Sequence, residues 1–137
     1  MTNTSPIAGG GRFQWNTGGW FGSLLGSTAF LIVGAVSFAS PSPTLSAIWF
    51  SCFAVAVAVG IYLWARRTAF SPYPAIQILL LACGISAAVA IIAAICMAPN
   101  ILIAVQLTPT KSLLLLLLFP AMMLWFHVLE SNARRPT

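Results

Sequence analysis

Between Arg12 and Glu130 the chain carries three charged side chains, Arg66, Arg67 and Lys111, and no acidic one. A soluble domain places roughly a quarter of its residues in charged types. Here 5% are charged and 60% are hydrophobic. Such a chain has too few charges to clothe a surface in water, so hydrocarbon is its natural solvent. Inside a bilayer every backbone amide must be paired within the protein, which leaves helices or closed barrels. Apolar runs of about twenty residues match helices, because a rise of about 1.5 Å per residue then covers the roughly 30 Å hydrocarbon core.

Four such runs are present, predicting an all-α integral membrane protein with spans at about 20–39, 43–65, 72–98 and 109–130. Together they form one transmembrane domain over 18–131. A Gly-rich segment, 1–17, precedes it and a short tail, 132–137, follows. The first run has some features of a signal peptide, with Arg12 ahead of it and Ser37-Phe38-Ala39 as a small-x-small site. It is longer than a usual signal core and is read as a retained span. Ser42-Pro43 and Thr108-Pro109 suit a cap followed by the first helical position. Pro99-Asn100 should end the third span, and Pro120 should kink the fourth by removing a donor to Leu116. The apolar segment 101–107, "ILIAVQL", is read as lying in the interface or against the bundle, since a single helix through it would overrun the membrane.

The net charge of +5 could be read as a nucleic-acid footprint, but the arginines fall just beyond apolar runs, where they act as topology signals. With both termini cytoplasmic, Arg12, Arg66, Arg67, Arg134 and Arg135 share the inner side and Lys111 lies outside. Trp15, Trp20, Tyr62, Trp64, Tyr73 and Trp125 fall at that same inner boundary, as interfacial aromatics do. The expected location is a plasma membrane, the bacterial inner membrane. The expected partners are the lipid bilayer and other membrane subunits or copies of this chain, with no nucleic acid.

Small residues at four-residue steps let two helix backbones approach closely where lipid supplies no hydrophobic drive. The first span has Gly18, Gly22 and Gly26 on one stripe, with Gly19, Ser23 and Ser27 beside it. The second has Cys52, Ala56 and Gly60, and the third has Ala82, Ser86, Ala90, Ala94 and Ala98. Such stripes either pack the spans of one chain together or seat another subunit. The six leucines 113–118 make a surface suited to lipid instead.

Polar chemistry inside the spans is sparse. Gln77 and His127 should lie at a common depth near the inner boundary, each hydrogen-bonded. His127, with Met123 one turn earlier, is a candidate ligand for haem or copper, or an ordinary interfacial hydrogen-bonding residue. Glu130 is expected to pair with Arg134. The chain has no Asp, which excludes a Ser-His-Asp triad, and the first three spans hold no carboxylate for proton coupling. Cys52, Cys83 and Cys96 lie in apolar runs without metal-ligand spacing. The sequence therefore points to a non-catalytic structural or accessory subunit acting through helix packing. The alternative is a small oligomeric channel or uncoupled carrier lined by Ser23, Ser27, Thr28, Gln77 and Ser86, and a third reading is a cofactor-holding subunit using His127.

Overall fold

The structure, a computed structural model, describes residues 13–100 and 108–133. The described residues are helical apart from short connections. Helix α1 spans Thr17–Phe38, α2 Pro43–Ala65 and α3 Pro72–Met97, followed by α4, Pro109–Leu116, and α5, Leu118–Ala133. The last two make one interrupted span, Pro109–Ala133, so four helices are long and apolar enough to cross a membrane. These four fit a multi-pass membrane protein.

Proline starts three of the helices, and its fixed φ and missing donor cost nothing there. The Asn16 side chain accepts from the Gly19 amide and caps α1, and Thr108 accepts from the Lys111 amide to cap α4. Ser42 makes no side-chain cap bond. Span four is interrupted at Leu117, whose amide turns back to the Leu114 and Leu115 carbonyls. The physical cause stands three residues on: Pro120 has no N–H to give the Leu116 carbonyl, so the regular ladder cannot continue through this turn.

Successive helices run antiparallel. Trp20, near the start of α1, donates its indole N–H to the Gly60 carbonyl near the end of α2 at 3.1 Å. Ser46, early in α2, donates to the Ala35 carbonyl late in α1 at 2.6 Å. Gln77 in α3 reaches Met123 in α5 in the same antiparallel sense. Helix α3 is central, packing against α1, α2 and span four.

The interior falls into two clusters, one toward each end. One gathers Leu31, Ala35, Phe38, Leu45, Trp49, Ala90 and Ala94 around the α1–α2 turn. The other gathers Trp20, Leu24, Ala56, Leu63, Leu79, Cys83 and Phe119 toward the end bearing Arg66 and Arg67. At that basic end Trp15 packs on Trp20 at 4.9 Å and on Trp64 at 5.7 Å between ring centroids. Trp20 is therefore buried between helices, where the sequence pattern had placed an interfacial ring. Large apolar side chains such as Leu25, Val33, Val36, Leu124 and Trp125 stand on the outside.

The expected cytoplasmic segment largely precedes residue 13, and the apolar piece 101–107 and the end of the tail also lie outside the described residues. The Glu130–Arg134 pair falls there too, although Glu130 itself is buried near the end of α5.

Candidate functional site

Helix α1 presents three different surfaces, and its 3.6-residue period separates them. Trp20, Leu24, Thr28, Leu31 and Ala35 are buried toward the other helices. Ser23 and Ser27 occupy a flank, each hydroxyl bonded one turn back, to the Gly19 carbonyl at 2.7 Å and the Ser23 carbonyl at 2.8 Å. Ser27 Oγ also lies 3.4 Å from Cys83 Sγ on α3. Gly18, Gly22 and Gly26 are exposed. A methyl group added at Gly22 or Gly26 would meet nothing within 4 Å, and one at Gly18 would meet the Asn16 side chain at 3.5 Å. Among the described residues the glycine stripe is therefore an open surface.

The glycines that allow close approach inside the chain are others. A Cβ at Gly60 would stand 2.7 Å from a Leu24 methyl. At Gly34 it would fall inside the Trp49 ring, and at Gly84 it would press on Phe119 at 3.2 Å. Gly34 and Gly84 belong to no four-residue ladder of small residues that the sequence made conspicuous. Their signal is the bulky aromatic on the facing helix, visible once the pairing is known. The ladders of the second and third spans turn inward: Cys52, Ala56 and Gly60 are buried, as are Ser86, Ala90 and Ala94, with Ala82 half-buried.

An open cleft of about 420 Å³ lies between α1 and span four, with α3 as its floor. Ser23, Gly26, Ser27 and Phe30 form one wall, and Leu115, Phe119, Met122 and Phe126 are on the other. At its far end Phe30 meets Trp49 edge to face, with centroids 6.2 Å apart.

The polar groups pair across α3 and α5 without meeting each other. Gln77 Nε2 donates to the Met123 carbonyl at 3.0 Å, and the Tyr73 hydroxyl bonds His127 Nδ1 at 2.9 Å. Tyr73 and Gln77 are one turn apart on α3, as are Met123 and His127 on α5. Two antiparallel helices in register then make both bonds. The sequence marks Tyr73 as an interfacial ring, and its role as the histidine's partner shows only in the pairing.

Among the described residues no three His, Cys, Asp or Glu side chains converge to hold a metal ion. His127 keeps Nε2 beyond its bond to Tyr73 and stands exposed, which leaves haem or copper with one nitrogen here. Among the described residues, the buried Trp49 Nε1 and Ser112 Oγ have no hydrogen-bond partner. The hydroxyl of Thr28 bonds the Leu24 carbonyl at 2.7 Å, so three of the hydroxyls read as a pore lining, those of Ser23, Ser27 and Thr28, are turned onto helix backbone. Compared with protein-family models, with curated proteins and with solved structures, the chain matches none.

Proposed function

We propose that this chain is a non-catalytic structural or accessory subunit of a bacterial inner-membrane assembly, with both termini cytoplasmic. The Gly18-Gly22-Gly26 face of α1 seats a helix of another subunit or a second copy. The observation that carries this reading is the empty space over Gly22 and Gly26, beside inward-turned ladders on α2 and α3. Glycine weakens a helix by up to about 1 kcal/mol relative to alanine. An outward face that met hydrocarbon alone would recover nothing for that cost, whereas a second backbone at close range recovers dispersion and weak Cα–H bonds. The self-bonded hydroxyls of Ser23, Ser27 and Thr28 favour packing over a water-lined path.

The test is Gly22→Leu, which adds bulk to this face, where a Cβ meets none of the described residues within 4 Å. Gentle extraction and native mass spectrometry should show the wild-type chain in an assembly and the variant as a smaller species. Membrane insertion should be unchanged. An unaltered native mass in the variant refutes the reading.

A further inference from the structure

Span four is the most loosely held of the four. Among the described residues, 11% of its membrane-length window is buried, against 44% for α3 and 28% for each of the first two spans. It packs on α3, and the open cleft parts it from α1. It is also jointed. The ladder breaks at Leu117, and Pro120 leaves the Leu116 carbonyl without its usual donor. The inner half of the span, α5, is thus a stiff piece beyond a pivot.

One short segment crosses the gap at the basic end. Residues 13–16 lead into α1, and Asn16 is extended, with φ −131° and ψ 124°. Alternate side chains of an extended segment share a side. Phe13 and Trp15 are accordingly half-buried, and Gln14 and Asn16 are exposed. The two rings reach different helices. Trp15 donates its indole N–H to the Phe70 carbonyl at 3.2 Å and packs on Trp20 of α1 and Trp64 of α2. Phe13 meets Phe126 of α5 edge to face, with centroids 5.3 Å apart, and Tyr73 of α3 at 5.9 Å. The segment walls a space of about 230 Å³ that shares Ser23, Ile76 and Phe126 with the cleft, so it stands across the cleft's inner end. Among the described residues, Trp15 is fixed by a hydrogen bond as well as by rings, and Phe13 by rings. A ring that leaves the Phe13 seat finds another in the headgroup layer beside it, where aromatics are favoured. The seated and unseated states therefore lie close in free energy.

We propose that residues 13–16 are a latch on span four. With the Phe13 ring seated against Tyr73 and Phe126, α5 is held beside the start of α1 and the inner end of the cleft is closed. With the ring withdrawn, α5 swings outward about Leu117 and the cleft opens at its basic end. The inference goes beyond the glycine-face contact and does not depend on it, since a Cβ at Gly22 meets none of the described residues within 4 Å. Val128 lies about 16 Å along the helix from the pivot, so a swing of about 20° moves it by about 5 Å. Nitroxide pairs read this by pulsed dipolar spectroscopy on full chains in lipid nanodiscs. The chain's own cysteines are replaced, and labelled chains are diluted into unlabelled ones. The pairs join the exposed Leu25 on α1 to the exposed Val128 on α5, Leu114 on α4 and Ile61 on α2. Phe13→Ala should lengthen or broaden the Leu25–Val128 distance by about 5 Å and leave the other two unchanged. Phe13→Tyr, which keeps the ring, should match wild type. An unchanged Leu25–Val128 distance in Phe13→Ala would overturn the proposal, as would a Phe13→Tyr chain that behaves like Phe13→Ala. Equal movement of Leu114 would remove the pivot, and movement of Ile61 would reduce Phe13 to general packing; either outcome sinks the latch. A second measurement keeps the native cysteines: Phe13→benzoylphenylalanine should photo-crosslink to the peptide carrying Tyr73 or Phe126. Capture confined to lipid or to α2 would overturn the proposal too.

Discussion

The indole N–H of Trp20 donates to the Gly60 carbonyl at 3.1 Å, and the missing side chain of Gly60 also leaves room for Leu24, one turn further along the helix that carries Trp20. One residue without a side chain thus admits both a hydrogen bond and a methyl contact. The contrast between such glycines and the open ones of α1 leads to the first prediction.

Gly34→Ala should destabilise the chain by about 1–3 kcal/mol, because the new methyl collides with the buried Trp49 ring. Gly60→Ala should cost less, since a Leu24 methyl can rotate aside where an indole cannot. In the dissociated single chain, Gly22→Ala should be neutral or stabilising by up to about 1 kcal/mol, the helix-propensity gain. Equilibrium unfolding in mixed micelles, measured on all three, checks the order. Equal losses at Gly22 and Gly34 would contradict the packing described.

Gln77→Leu removes the bond to the Met123 carbonyl while keeping most of the side-chain volume. Interhelical side-chain bonds in membranes average about 0.6 kcal/mol, so the loss should be near that value. The same unfolding assay reads it. A loss of several kcal/mol would mean that Gln77 serves a larger polar network.

Tyr73→Phe and His127→Leu each break the bond between these two side chains, and the double variant should cost little more than either alone. His127→Leu should also leave the visible spectrum and the copper content of purified protein unchanged. A Soret band or bound copper in wild type that vanishes in this variant would establish the cofactor reading instead.

A cysteine placed at the exposed Thr44, in a chain whose own cysteines are replaced, should react with an impermeant maleimide from outside the cell. One at the exposed Thr68 should react after the inner face is opened. These outcomes follow from five arginines sharing one side. Reversed labelling would invert the topology.

The helices were legible in the sequence because Pro43, Pro72 and Pro109 begin them and the apolar runs are membrane-length. Their facing surfaces were much less so. In a soluble helix an apolar stripe marks the inside, but these helices are apolar all round, and Leu25 outside looks no different from Leu24 inside. Small-residue spacing says which residues share a stripe and is silent about what lies opposite. Hence Gly22 and Gly60 read alike, although one is open and the other is pressed against Leu24. The break at Leu117 was legible in kind from Pro120, whereas the seating of Phe119 against Gly84 needed the pairing of α3 with span four.

The centrality of α3 has a consequence for biosynthesis. Helices α1, α2 and α3 all touch one another, while span four packs on α3. In a chain inserted into a membrane as it is made, N-terminus first, this trio would be complete before span four is released. Until then the α3 surface around Gly84 stays bare, and any neighbouring protein with a bulky ring can compete for it. Span four then docks onto a preformed template.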